Sequence, residues 1–179
     1  MRVEARVLLA GVVLWLAAIP SHVVAQWAGW DYDYDQEKKG WSEIQAKIPP
    51  YPKEADLIPF EAGTATPHRF YVDRNSISIG EDGVVRYTLV VKAAGGAINV
   101  SFEGIRCATR ERKMYAIGQN DKTWARPRHP QWQYIEYREV NRQYGVLYSD
   151  FFCSGKSTVA SVADAVQLLK YPPSPPVSN

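Results

Sequence analysis

Apolar and polar side chains alternate through the middle of the chain, and this pattern predicts an antiparallel β-sheet. In residues 84–92, Val85 and Tyr87 fall on one face of an extended strand, while Arg86 and Thr88 fall on the other. The same period predicts further strands at residues 57–60, 69–73, 76–79, 98–107 and 110–118, and shorter ones at residue 124 and residues 132–135.

Short glycine-bearing turns separate the predicted strands. Asp82-Gly83 strongly favours a tight turn, and Gly95-Gly96 marks a second hairpin loop. Strands that follow one another through tight turns form a meander. We therefore expect an antiparallel sheet of about five or six strands in chain order.

Helical periodicity replaces the strand period near the C-terminus. One stripe of a predicted helix consists of Val140, Tyr144, Leu147, Tyr148 and Phe151. A second helix is predicted over residues 162–170, with Ser161 and Asp164 at the spacing of a capping box. The sequence therefore predicts an α+β fold, in which one or two C-terminal helices pack on the meandering sheet.

Residues 1–25 have the pattern of a secretory signal peptide. Arg2 and Arg6 precede an apolar run at residues 7–19, and small residues lead up to Ala25 as the expected cleavage point. The run is shorter than the roughly 20 residues that a transmembrane helix needs. We therefore expect a periplasmic or secreted protein that has no stable transmembrane span after cleavage.

Cys107 and Cys153 are the two cysteines of the chain. Export to an oxidising compartment favours a disulfide bond between them. The bond would clamp the first predicted helix onto the sheet and stabilise the fold by about 4 kcal/mol in the chain-entropy model. A redox-active pair is the alternative, but the C-x-x-C spacing typical of such pairs is absent.

Composition divides the chain into four parts. The predicted signal peptide is followed by an extended, aromatic and proline-rich segment at residues 26–56, a single α+β domain at residues 57–170 and a disordered, proline-rich tail at residues 171–179. Prolines exclude a long helix from the second part, although one helical turn is compatible with residues 42–47.

The charge balance gives no reason to expect nucleic acid as a partner. The chain has 21 basic and 19 acidic residues, and its formal net charge is +2. The sequence has no catalytic serine motif, zinc-binding histidine pair or phosphate-binding glycine loop, so no catalytic residue, metal or cofactor is predicted. A calcium-loop pattern begins at Asp31, Asp33 and Asp35 but lacks the glycine and glutamate that complete it.

Two groups of side chains form a candidate binding surface. They are the cations Arg106, Arg110, Arg112 and Lys113, and the aromatic residues Trp27, Trp30 and Trp41. The cations could receive an acidic ligand, and the aromatic rings could contact a peptide, a glycan or a partner protein. Alternatively, the cations protect the strand edges from aggregation, and the aromatic rings cover an otherwise bare face of the sheet.

Several sequence blocks resemble the CNP1-like family of exported proteins of Gram-negative beta-proteobacteria. These blocks are RFYVD (69–73), GVVRYTLV (83–90), EGIRCATRERK (103–113) and LYSDFFC (147–153), together with Trp124. The resemblance covers roughly residues 41–170. It implies an exported location and one common fold, but no particular chemistry, because the family has no established activity.

A second resemblance is to proteins of the surface-adhesin protein E type. It rests on the order of a tyrosine-bearing strand, a long hydrophobic strand, a cysteine at a strand end and a terminal helix with the partner cysteine. This resemblance implies an antiparallel sheet with a disulfide-clamped helix, and a role in binding a host or envelope component. Fold alone does not determine such a role.

The expected function is that of a non-catalytic binding or structural module of the cell envelope, whose partner is an envelope or extracellular protein or glycan. One alternative is a periplasmic hydrolase with a site built from distant positions, for which Glu103, Asp150, His68 and Arg110 are the candidates. Another is an assembly partner that offers an edge strand to a second chain.

Overall fold

Seven antiparallel strands form the main sheet of the computed structural model, which describes residues 40–63, 66–136 and 141–172. They are Leu57–Phe60 (β1), Arg69–Ile79 (β2), Val84–Lys92 (β3), Ile98–Arg106 (β4), Glu111–Gly118 (β5), Trp124–Ala125 (β6) and Gln133–Tyr134 (β7). Strands β1 to β6 lie side by side in chain order, and β7 also pairs with β5. The predicted meander is confirmed, with one strand more than expected.

Strand β2 is continuous over 11 residues, where the sequence pattern predicted two shorter strands. Its register with β3 shifts between Asp73 and Ser78. Within this bulge the Ser76 hydroxyl donates to the backbone oxygen of Asp73 and accepts from the backbone N–H of Thr88, both at 2.7 Å. Because these bonds satisfy backbone groups that the ladder leaves unpaired, the strand continues through the interruption.

Two helices follow the sheet, and the first is less regular than its sequence stripe predicted. An α-helical turn at Arg142–Val146 (α1) continues as a π-helix at Leu147–Phe152, and a short hairpin joins Cys153–Ser154 (β8) to Ser157–Thr158 (β9). The second helix, Val162–Lys170 (α2), begins as predicted, since the Ser161 hydroxyl accepts from the Asp164 backbone N–H at 3.1 Å. Among the described residues no helix is long and apolar enough to cross a membrane.

The core lies between these helices and one face of the sheet, here called the helix face. Tyr87 on β3 packs on Phe152 with a ring-centroid distance of 4.9 Å. A disulfide bond joins Cys107, directly after β4, to Cys153 on β8, and their α-carbons are 5.6 Å apart. The predicted disulfide and the clamped position of the helical segment are therefore confirmed.

An extended segment at residues 41–53, here called the strap, crosses the opposite face, here called the strap face. The Trp41 indole N–H donates to the backbone oxygen of Asp82 at 2.7 Å. The backbone N–H of Ile44 donates to the Asp82 carboxylate at 2.9 Å, and the backbone oxygen of Ile44 accepts from Arg86 at 2.9 Å. These bonds use backbone groups that a helical turn would need, so the turn expected at residues 42–47 does not form.

Some sequence predictions fall outside the described residues. These are the signal peptide at 1–25, the aromatic residues Trp27 and Trp30, the acidic pattern at Asp31, Asp33 and Asp35, Val140 of the helical stripe, and residues 173–179 of the tail.

Candidate functional site

A groove with a volume of about 660 Å³ lies on the strap face, beside the end of the strap. Its apolar lining includes Leu57, Val90 and Val100, of which Val90 and Val100 are buried. Strand pairing places all three side chains on the strap face, where Val90 lies directly opposite Val100. The sequence therefore makes this end of the strap face apolar.

Gly118 allows the strap to approach the sheet at this groove. A Cβ atom at Gly118 would lie 2.7 Å from the Cβ of Val100 and 2.9 Å from the ring of Tyr51. Both distances are too short for carbon atoms, so only glycine lets the Tyr51 ring lie against β5. The Tyr51 hydroxyl then donates to the backbone oxygen of Gln119 at 3.3 Å, which fixes one wall of the groove.

Three lysines line the groove. Lys92 forms an ion pair with Glu54 and lies 4.8 Å from the ring centroid of Tyr71. Lys53 and Lys122 are exposed and form no ion pair with any residue that the structure describes. One acidic residue, Glu54, is in the lining, so the mouth of the groove is predominantly basic.

Asp121 is the other acidic group near this mouth. Burial raises the pKa of Tyr51, and the charge of Asp121 raises it further. The Asp121 carboxylate accepts hydrogen bonds from the backbone N–H and the hydroxyl of Thr123, at 3.0 and 2.7 Å. Both bonds reach the same oxygen, Oδ1, which is therefore held by its own turn, and Asp121 forms no ion pair with a groove lysine.

A second cavity, of about 620 Å³, lies along the strap between Glu43 and Trp124. Two of its charged groups are paired with each other, because Glu43 accepts from Lys113 at 2.7 Å and also from the Trp132 indole at 3.2 Å. Burial by itself would raise the pKa of Glu43, but these donors outweigh burial and leave the pKa lowered. Arg126 is the remaining charged group of this lining, so, of the residues that the structure describes, the cavity presents one unpaired cation where the groove presents Lys53 and Lys122.

Glu103 is a buried acid on the helix face. Its carboxylate accepts from the Ser101 hydroxyl at 2.6 Å, from Tyr144 at 3.3 Å and from Tyr87 at 3.4 Å. Burial raises its pKa, and these donors and the charge of Arg112 offset the rise only in part. A cavity of about 100 Å³ lies beside Arg112 and Tyr144, so little space adjoins this group.

Comparison with known families gives one match. The model of the CNP1-like family matches residues 36–170. The chain belongs to the CNP1-like family. No curated protein and no solved structure matches it.

In this CNP1-like domain the four predicted cations lie in different places. Arg106 and Lys113 point to the strap face, and Arg106 lies 3.7 Å from the ring centroid of Trp41. Arg112 points to the helix face, 4.1 Å from the ring centroid of Tyr144. Arg110 sits in the β4–β5 turn, within 5.5 Å of two tyrosine ring centroids. The structure therefore joins Arg106 to Trp41 but does not gather the four cations into one patch.

The residues predicted for a hydrolase site also contact different parts of the structure. Glu103 contacts Ser101, Tyr87 and Tyr144, as described above. Asp150 is exposed and accepts from the neighbouring Ser149 hydroxyl at 2.5 Å, and the His68 ring accepts from the backbone N–H of Ala94 at 3.4 Å. None of these three hydrogen bonds of Glu103 involves Asp150, His68 or Arg110.

Sequence reasoning missed both the groove and the tyrosine pair around Glu103. Tyr87 and Glu103 are direct cross-strand partners, and counting back from the predicted hairpin at Gly95-Gly96 would have placed them on one face. The groove had no comparable signal, because its walls come from segments far apart in sequence.

Proposed function

We propose that this CNP1-like chain is an exported binding module of the cell envelope, periplasmic or secreted, and that the groove is its ligand site. The observation that carries the proposal is the groove itself. It has an apolar lining, a basic mouth and a volume within the 300–1,000 Å³ typical of small-molecule sites.

Two features support the exported location. Residues 1–25 carry the charged and apolar regions of a secretory leader. The Cys107–Cys153 bond is of a kind that persists in oxidising compartments and is rare in the cytosol of most organisms. Tagging the full chain and measuring its distribution between cytoplasmic, periplasmic and culture fractions tests this part of the proposal.

Native mass spectrometry of the full chain after exposure to an envelope extract tests the groove. Ile98 lines the groove and is 59% exposed, so Ile98→Trp fills the mouth without burying a larger side chain in the core. Ile117→Trp is a matched control, because Ile117 is also exposed and lies outside the groove lining.

We expect a retained adduct with the unaltered chain and with Ile117→Trp, and loss of that adduct with Ile98→Trp. The proposal would be contradicted if the unaltered chain retained no adduct, or if Ile98→Trp retained the adduct as well as the unaltered chain does.

A hydrolase is the second candidate, and the observation that favours it is the buried carboxyl of Glu103 with its raised pKa. Enzymes place such groups where they transfer protons. A hydrolytic activity on envelope esters or glycosides that Glu103→Gln abolishes and Asp150→Asn retains would favour this candidate over the binding module.

A further inference from the structure

Three hairpins of the sheet share one backbone geometry. In each, three residues lie between a hydrogen-bonded closing pair, which is Gly80/Val84, Ala93/Ala97 or Gln119/Thr123. The third of these residues donates its backbone N–H to the carbonyl three residues earlier at 2.9 or 3.0 Å. That residue is Gly83, Gly96 or Lys122, with φ of 71°, 88° and 63°. This geometry favours glycine, because a side chain in the left-handed region meets its own backbone. Lys122 therefore occupies the position that glycine occupies in the other two hairpins.

A non-glycine residue in this conformation destabilises the folded chain slightly, and such residues are often found at functional sites. Arg110 is the other described non-glycine residue with positive φ, and its guanidinium packs near the rings of Tyr134 and Tyr148. Lys122 is exposed, and its ammonium forms no hydrogen bond, ion pair or ring contact with any residue that the structure describes. It lines the groove instead.

The groove offers further cations and an apolar surface near Lys122. Lys53 comes from the strap, and Lys92 comes from β3, where Glu54 neutralises part of its charge. Val90 and Val100 supply the apolar lining, and the exposed side chain of Ile98 extends it. A basic mouth beside an apolar lining matches a ligand that has an anionic group and an apolar chain.

We propose that the groove binds a single-chain anionic amphiphile, an alkyl or acyl chain that ends in a carboxylate or phosphate, and that Lys122 contacts the anionic group. This inference rests on the proposed binding function. Lysine suits the role because its ammonium binds anions as a flexible point charge. The apolar lining sets the preference for chain length, since affinity rises with each methylene that leaves water.

Isothermal titration of the full chain with amphiphiles below their micelle concentrations tests the ligand class. Dodecanoate and dodecyl phosphate should bind, and decanoate should bind about tenfold more weakly because it has two fewer methylenes. Dodecyl maltoside and dodecylamine share the chain but lack the anion, so we expect both to bind more weakly than dodecanoate. A preference between dodecanoate and dodecyl phosphate distinguishes a fatty acid from a phosphate-bearing lipid as the source of the anion.

Substitutions at Lys122 test its role. Lys122→Gly should weaken dodecanoate binding about three- to fivefold, as expected for one exposed charge pair. The same variant should melt about 1 to 3 °C higher, because glycine relieves the left-handed backbone. Lys122→Arg should retain binding. Lys156→Gly, an exposed lysine outside the groove lining, should leave binding unchanged.

The outcomes separate this inference from the proposed function. Equal binding of the anionic, neutral and cationic amphiphiles would overturn the anionic class, while groove binding would stand. An adduct from envelope extract that Ile98→Trp abolishes, with no amphiphile binding, would overturn the amphiphile and leave the binding function. Lys122→Gly binding as tightly as the unaltered chain would overturn the assignment of Lys122.

Discussion

The two faces of the sheet are covered in different ways. On the helix face, buried aromatic and aliphatic side chains pack against helices that a disulfide bond fixes in place. On the strap face, an extended segment is attached by individual hydrogen bonds and ion pairs, and Ile44 and Ile48 in it remain about half exposed, at 47% and 49%. The strap face carries the cavities of about 660 and 620 Å³, and the cavity beside Glu103 on the helix face has about 100 Å³.

This difference follows from the covering segments. An amphipathic helix presents a continuous apolar stripe to a sheet, whereas an extended segment with prolines sends its side chains to both sides and leaves gaps. Close packing therefore concentrates stability on the helix face. The strap face retains the open volume that a ligand needs. Substitutions on the two faces should separate stability from binding.

The largest expected effect comes from removing the disulfide bond on the helix face. The Cys107→Ala and Cys153→Ala double variant should lose about 4 kcal/mol of unfolding free energy, because the unfolded chain is no longer restrained across a separation of 46 residues. Urea denaturation measures the loss, and reduction of the unaltered chain should give a similar value. A loss below about 1 kcal/mol would show that the clamp contributes little.

Truncating a core side chain on the helix face should lower the unfolding free energy more than a truncation of similar size on the strap. Leu147 is fully buried, so Leu147→Ala should lower the unfolding free energy by about 3 kcal/mol through lost burial and a cavity. Ile48→Ala, at a half-exposed strap position, should lower it by about 0.5 kcal/mol or less. Urea denaturation measures both losses of unfolding free energy. Similar losses in the two variants would contradict the contrast between the faces.

The helix face is also the face that sequence reasoning predicted better. The strand period identified Val85 and Tyr87 as inward residues, and the chain has two cysteines to pair. The helical stripe indicated Tyr144, Leu147 and Phe151 but not the π-helix, whose wider turn buries Phe152 beside Phe151. Local periodicity thus determines which side chains are inward, but not small changes in helical geometry.

The strap face depends on contacts between residues far apart in the chain. The Trp124 indole donates to the backbone oxygen of Pro49, 75 residues away, and the Trp132 indole donates to Glu43, 89 residues away. No local period encodes such pairs, so the sequence suggested that aromatic residues cover this face without indicating where gaps remain. The groove and the role of Gly118 follow from the folded chain alone.

Acid should affect the contributions of Glu103 on the helix face and Asp82 on the strap face in opposite directions, which gives the third prediction. Burial raises the pKa of Glu103 above its ordinary value of 4.5. The folded chain then holds a proton that the unfolded chain releases, so unfolding free energy should fall as pH rises from about 4.5 through the folded pKa. Urea denaturation across about pH 4–7 measures how the unfolding free energy declines with pH. The slope of this decline should be smaller in Glu103→Gln than in the unaltered chain.

Asp82 on the strap face provides the contrast. Burial alone would raise its pKa, but hydrogen bonds from Arg86 and backbone N–H groups outweigh burial and lower it below 3.8. Asp82 therefore contributes to the unfolding free energy above pH 3.8, and this contribution is lost as pH falls through its folded pKa. Asp73 also has a raised pKa, so a smaller decline with rising pH should remain in Glu103→Gln. An unchanged slope in that variant would contradict the role of Glu103.

The last expected effect is at the attachment of the strap, and it is smaller than the losses from removing the disulfide bond or truncating Leu147. Glu43 accepts from both Lys113 and Trp132, so Glu43→Gln should weaken this attachment and lower the unfolding free energy by about 1 kcal/mol. Glu54→Gln is a matched control, because its side chain is 76% exposed and its ion pair with Lys92 should contribute less.

Hydrogen exchange distinguishes a local effect from a global one in Glu43→Gln. If the strap opens independently of the sheet, the Ile44 amide, which donates to Asp82, should exchange faster while amides in β3 and β4 keep their protection. Equal acceleration in the strap and in these strands would mean that the strap opens only when the domain unfolds. Independent opening would instead make the groove wall at Tyr51 adjustable, since Tyr51 belongs to the same segment and reaches the sheet through its ring contact with Trp124 and its hydroxyl bond to Gln119.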